Sequence, residues 1–255
     1  MNFIGIDLSW KVYPEKPYRT AAVVLNEKCV VKADALLTTN EDIIQFVKRY
    51  KDDGCIIGID APLIVPSKVK QRKCERMLLK CKIAVFPGNR RWFFRAFGGV
   101  RGEILVEELK KLDIPLRDFL KPREKTYAVL EVYPYSAWKV LFEEGAVPKY
   151  KNRRRKDKIQ GLIKLRRKLL GSNLKPELKF DKKIEHRFDI DISELSSKAL
   201  DKQGDLLDAL IAAYTIYIYW CFGEERSVVL SDLEEGFILT PANDCLKKMA
   251  KERKY

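Results

Sequence analysis

Asn2-Phe3-Ile4-Gly5-Ile6-Asp7-Leu8 opens the chain, an apolar run that reads as a β-strand with a carboxylate near its end. A Pro-containing loop follows from Lys11 to Tyr18. Residues 19–25 and 28–37 read as two further strands, joined at Asn26-Glu27 by a tight turn. Thr38-Thr39-Asn40 offers helix N-caps ahead of Ile43, Ile44, Phe46 and Val47, which share one helical face. Cys55-Ile56-Ile57-Gly58-Ile59-Asp60 suits a strand buried on both faces, stopped by Pro62. Residues 127–133 form a fifth strand, stopped by Pro134, a long helix spans about 198–221, and short strands at 227–230 and 237–240 close the chain. Three strands in hairpin succession, then alternating strands and helices, predict an α/β fold. Its mixed five-stranded sheet carries helices on both faces. With no internal repeat and no low-complexity linker, residues 1–255 read as one domain with two basic, mainly helical insertions, at about 61–126 and 145–197.

Composition narrows the chemistry. The chain has 255 residues, 46% hydrophobic and 34% charged, close to the globular mean and unlike a disordered segment. There is one histidine, His186, so mechanisms or metal sites that need two are excluded. The six cysteines, at 29, 55, 74, 81, 221 and 245, include no C-x-x-C pair and read as reduced, mostly buried thiols. The N-terminus lacks a basic n-region and meets Asp7 early, unlike a signal peptide. The longest apolar run, Ala209 to Phe222, is short for a membrane span and typical of a buried helix. The expectation is a cytoplasmic protein with no membrane partner.

The net charge of +14 is concentrated. Residues 61–126 hold 17 Lys and Arg against seven Asp and Glu; residues 149–187 hold 16 against four; the remainder is net acidic. Single charge runs are commonly solvated helix faces, but two same-sign blocks point to a polyanion, and a phosphate backbone is the simplest one. In the first block Arg90, Arg91 and Arg95 interleave with Trp92, Phe93, Phe94 and Phe97, a pattern suited to single-stranded nucleic acid or to a helix with its aromatics in a core. The second block carries Lys151, Arg153, Arg154 and Arg155, followed by an amphipathic helix with Ile159, Leu162, Ile163, Leu165 and Leu169.

Acidic residues stand out by placement. Asp7 and Asp60 end strands, Glu131 lies in the fifth strand, and Asp205 and Asp208 open the last helix on one face. Each has an ordinary explanation: a turn cap, an arginine partner, or an N-cap for Asp205. Asp208, however, precedes an almost wholly apolar helix, and a lone buried carboxylate is costly. A cation shared among several carboxylates removes that cost, and hard oxygen ligands select Mg²⁺ or Mn²⁺. Two such ions suit an in-line phosphoryl displacement and require no histidine.

On these residues the chain resembles the ribonuclease H-like superfamily, and Asp205-Leu-Leu-Asp208-Ala-Leu is similar to the final motif of the Holliday-junction resolvases. More closely it resembles domain-of-unknown-function family 429, a family of predicted nucleases. The signposts are Gly5-Ile6-Asp7, Ile59-Asp60-Ala61-Pro62-Leu63, Arg72-Lys73-Cys74-Glu75, Glu131-Val132-Tyr133-Pro134, Tyr150-Lys151, Asp205-x-x-Asp208-Ala209-Leu210 and Gly236-Phe237-Ile238. The resemblance implies Asp7 as a central metal ligand, with Asp60 and Asp208 completing the site and Asp205 or Glu131 as a further catalytic ligand. It places Lys151 near a phosphate. Arg72 pairs with Glu75 or reaches substrate, and Arg90, Arg91, Trp92 and Arg153 to Arg155 are the remaining substrate-binding candidates.

The expected function is a Mg²⁺- or Mn²⁺-dependent phosphodiester hydrolase, with two ions, acting on DNA or RNA. A non-catalytic nucleic-acid-binding module on the same fold is the alternative. An actin-like or sugar-kinase ATPase ranks third, because such folds need Gly-rich phosphate loops and the one glycine doublet is Gly98-Gly99.

Overall fold

The structure, a computed structural model, describes residues 1–13, 19–142, 147–151, 154–171 and 174–251. Strand β1 (Asn2–Asp7) runs antiparallel to β2 (Thr20–Asn26), which runs antiparallel to β3 (Val30–Leu37). The turn between β2 and β3 closes on Asn26, whose side-chain oxygen accepts from the backbone N–H of Lys28 and Val30. Helix α1 (Asn40–Tyr50) starts at a capping box between Thr39 and Asp42 and buries Ile43, Ile44, Phe46 and Val47, the face expected from their spacing. Strand β4 (Cys55–Asp60) then pairs parallel to β1, and β5 (Tyr127–Glu131) pairs parallel to β4.

The sheet is mixed and has six strands, one more than expected, in the order β5-β4-β1-β2-β3-β6. The extra strand, β6 (Lys179–Phe180), is two residues long, pairs parallel to the start of β3 and leads into helix α7 (Lys182–Phe188). Two residues carry no alternation for periodicity to register. Strands β7 (Ser227–Asp232) and β8 (Gly236–Pro241) form a separate antiparallel hairpin.

Alternation along β1 sends its side chains to two cores. Ile4 and Ile6 join Ile57 and Ile59 of β4 against α1 and a helix of the first insertion, α4 (Arg101–Lys110). Phe3 faces the opposite side, where α8 (Ser197–Phe222) crosses the sheet. By length and composition α8 is long and apolar enough to cross a membrane, yet 94% of its most apolar window is buried inside the protein. It is the central core helix, backed by α5 (Pro134–Leu141) and α6 (Arg155–Leu170).

The other helices of the first insertion are α2 (Lys73–Lys80) and α3 (Arg90–Phe97). α2 packs with the β7–β8 hairpin and α9 (Asp244–Lys251). That packing corrects the expectation of six thiols: Cys81, at the end of α2, forms a disulfide with Cys245 of α9, 164 residues later. Cys29, Cys55, Cys74 and Cys221 are free and buried.

Candidate functional site

The site follows from how closely α8 approaches β1. Phe3 meets Tyr217 and Trp220 with ring centroids 5.1 Å away in each case. Two residues on, a Cβ at Gly5 would lie 2.0 Å from the Ala209 carbonyl oxygen. Gly58, directly across from Gly5 in β4, faces Ala212 and Ile216 in the same way. Side-chain-free positions let the helix lie on the strands. The next outward position on this face is Asp7, paired in register with Asp60. The helix, running back toward its N-terminus, arrives there with Asp205 and Asp208. Because α8 begins at Ser196, its N-cap, these two aspartates lie well inside the helix, and Asp205 is not its cap.

The aspartates converge on one cation. The Lys151 ammonium lies 2.8 Å from Asp7, 2.6 Å from Asp208 and 3.5 Å from Asp205. Asp208 keeps 3% of its side-chain surface, Asp7 12% and Asp205 15%, while Lys151 keeps 38%. Asp208 is further held by the indole N–H of Trp138, donating to Oδ1 at 2.8 Å, and by the Tyr150 hydroxyl, donating at 2.7 and 2.9 Å. Among the described residues, no hydrogen bond or ion pair reaches the carboxylate of Asp60, which is half-buried beside Asp7.

These acids are under-compensated by one ammonium, and the titration of Asp7, Asp60 and Asp205 reflects it. Burial pushes the Asp7 carboxyl from its usual 3.8 up to about 8; Lys151 opposes this, and Asp205 and Asp208 add to it. Asp60 is raised well above the carboxylate range by burial and then by Asp7. Asp205 is raised by burial against the pull of Lys151. Burial works against the Lys151 charge, but Asp208 and Asp7 outweigh it and hold the ammonium protonated well above its ordinary range.

The donor set, all carboxylate oxygens, fits a hard divalent cation. Among the described residues, however, no group of three or more His, Cys, Asp or Glu side chains forms a ready metal site. The position that such a cation would share is taken by the Lys151 ammonium.

Glu131 stands apart from this cluster. Its two oxygens accept from Arg72 Nη1 and Nη2 at 2.8 and 2.7 Å, and one also accepts from the Leu63 N–H. Arg72 Nε donates to Glu75 at 2.7 Å, and the Glu75 oxygens accept from the Gly88 N–H. All three charged side chains are buried, so Arg72 and Glu75 join an internal network that fixes the first insertion to β5. Arg90 is likewise engaged, donating to the Val65 carbonyl and to Glu103. Arg91 and Trp92 are exposed on α3; Arg154 is exposed at the N-cap of α6. Arg155 donates to the Ser193 and Leu195 carbonyls, and Arg153 lies outside the described residues.

Sequence reasoning did not single out Trp138, Trp10 or Glu103. Trp138 carried a usable signal: an indole N–H on the buried face of a helix requires an acceptor. Trp10, three residues after Asp7, is the centre of an aromatic cluster with Phe86, Trp92, Phe93 and Phe97.

Fold and site together define an α/β protein with a buried carboxylate–ammonium cluster where β1 and β4 end. The chain belongs to the family described as protein of unknown function (DUF429), whose model matches residues 5–229 and so includes every member of the cluster. No curated protein and no solved structure matches it.

Proposed function

We propose that this chain is a nuclease: a phosphodiester hydrolase of ribonuclease H-like type, with Asp7, Asp60, Asp205 and Asp208 as the residues that hold Mg²⁺ or Mn²⁺. The carrying observation is the convergence of Asp7, Asp205 and Asp208 on the Lys151 ammonium with Asp60 beside Asp7, an excess of carboxylates among the described residues. Buried carboxylates in that excess favour protons or an added cation. When bound, divalent ions of this kind lower the pKa of water and stabilise the leaving oxygen of a phosphodiester.

The protein's own groups have defined parts in this reading. Trp138 and Tyr150 fix the Asp208 carboxylate, so its orientation does not depend on a ligand. Lys151 neutralises the cluster at rest and brings positive charge to a phosphate that would otherwise meet only carboxylates. The Arg72–Glu131–Glu75 network holds the wall beside Asp60.

The test is Asp7→Asn. It removes the ionisable oxygen that would hold the ion and keeps the shape. Mg²⁺-dependent cleavage of single- and double-stranded oligonucleotides should fall by at least 100-fold, while circular dichroism and oligonucleotide binding in EDTA stay near those of the parent. Cleavage retained by the variant removes Asp7 from the mechanism.

One observation favours a second reading, a nucleic-acid-binding module without catalysis. Lys151 already fills the shared cation position. Binding indifferent to chelator, with no turnover in Mg²⁺ or Mn²⁺, would select it.

A further inference from the structure

Beside the cluster lies a second feature that metal chemistry does not use. A small pocket of about 50 Å³ is lined by Asp60, Trp10, Phe86, Tyr133, Pro62 and Ile238. Its wall is aromatic and open. Phe86 keeps 69% of its surface in solvent and Trp92, next to Trp10, keeps 39%. Trp10 meets Phe86 edge to face at 6.2 Å and 89°, and Trp92 at 6.0 Å and 88°. The solvent-exposed surface of Phe86 and Trp92 is where a planar ligand can stack. An aromatic cluster formed only for stability would bury such rings.

The charge around the pocket selects the ligand. The segment from Phe86 to Phe97 contains Arg90, Arg91 and Arg95 and no acidic residue, and Arg91 and Arg95 are exposed. A ligand with flat apolar faces and a flanking negative charge matches both halves. A base held in a duplex stack offers no free face, whereas an unpaired base offers two.

We propose that this pocket receives one unpaired nucleobase of a single-stranded nucleic acid, which sets the adjoining phosphodiester beside Asp60. The inference rests on the nucleic-acid reading of the site but not on cleavage. The substrate class it names is single-stranded, or a strand locally unpaired at the site.

Binding in EDTA separates the two. The probes are a fluorescein-labelled 12-nucleotide single strand and the same sequence in a hairpin duplex, followed by anisotropy, with a 2-aminopurine single strand as a stacking reporter. Phe86 is exposed, so Phe86→Ala leaves the fold intact. It should weaken single-strand binding roughly 5- to 100-fold, the worth of one base stack, abolish the 2-aminopurine quench and change duplex binding less than twofold. Phe86→Tyr should restore the quench. Equal affinity for strand and duplex in the parent, or a Phe86→Ala variant that binds the strand as the parent does, overturns the pocket assignment. So does a parent that binds no nucleic acid. Normal pocket behaviour with no cleavage under Mn²⁺ instead removes the hydrolase reading and leaves this one standing.

Discussion

Lys151 carries the most consequential electrostatics in the molecule. Among the described residues it is the one cation contacting three aspartates, and Asp60 lies beside them. Replacing it with methionine keeps most of the stem and deletes the charge. Removing one partner of a buried pair typically costs about 3–5 kcal/mol, and with 38% of the side chain in solvent a loss of about 2 kcal/mol at pH 7 is expected. The pH dependence has a definite sign. Asp7 is raised in the folded state, so the native protein binds more protons than the unfolded chain between about pH 4 and 8. Stability therefore falls as pH rises through that window. Lys151 is raised as well and stays protonated across that window, but it stabilises only ionised partners, which the raised Asp7, Asp60 and Asp205 become as pH rises. Lys151→Met should then unfold near the parent temperature at pH 4 and progressively below it toward pH 8, followed by differential scanning fluorimetry. A temperature gap that does not widen with pH would show that the ammonium is not what compensates these acids. Asp7, Asp60, Asp205 and Asp208 were legible from the sequence because carboxylates at strand ends and inside an apolar helix are expensive without a cation. The role of Lys151 was only partly legible: the resemblance singled it out as a phosphate contact, but nothing in a lysine-rich segment placed its ammonium among the aspartates themselves.

Strand β1 and helix α8 are the pair that builds the site, and their fit depends on glycine. A methyl group at Gly5 would sit 2.0 Å from the Ala209 carbonyl and 2.3 Å from the Ala213 nitrogen, both backbone atoms of a buried helix. The helix would have to lift, and with it Asp205 and Asp208. Overpacking of this kind commonly costs about 1–3 kcal/mol, and a backbone obstacle puts Gly5→Ala at the upper end or beyond. Gly204 is the internal control. A Cβ there makes only ordinary side-chain contacts, with the Tyr150 ring at 3.4 Å and Leu162 at 3.7 Å, and the residue lies within α8, where alanine is favoured by about 1 kcal/mol. Chemical denaturation should show Gly5→Ala strongly destabilised and Gly204→Ala neutral or stabilised. Equal effects would mean that close approach does not set the helix–strand distance. The five long strands, α1 and α8 were readable because each has a full period of hydrophobic pattern and, for α1, a capping box. β6 was not, having two residues. The span of α8 matched its expected 198–221 to within a residue at each end, whereas Asp205 and Asp208, expected to open it, lie well inside it.

For the molecule as a whole, the basic excess divides into internal and external charge. Arg72 is neutralised by Glu75 and Glu131, Arg90 by Glu103, and Arg101 is buried on the Ser9 and Thr38 carbonyls. Burial even draws the Arg101 guanidinium down to about 10. Sequence counting located both basic blocks but could not sort them, because Glu131, the partner of Arg72, lies 59 residues away and the acceptors of Arg101 are backbone carbonyls. Only the arginines on the surface can release counterions from a polyanion. Arg91 and Arg95 on α3, and Arg154 at the start of α6, are exposed. Each phosphate contact on a single strand contributes about 0.7 to the slope of log K against log salt. Replacing Arg91, Arg95 and Arg154 together with serine should reduce that slope by about 2, measured by anisotropy in EDTA from low to moderate salt. Arg155→Ser should change it little, since that guanidinium is already committed to the Ser193 and Leu195 carbonyls. If the triple variant keeps the parent slope, these side chains are ordinary solvated surface and the strand runs elsewhere. If Arg155→Ser flattens it as much as the triple change, the carbonyl contacts give way on binding and the second insertion rearranges around the nucleic acid.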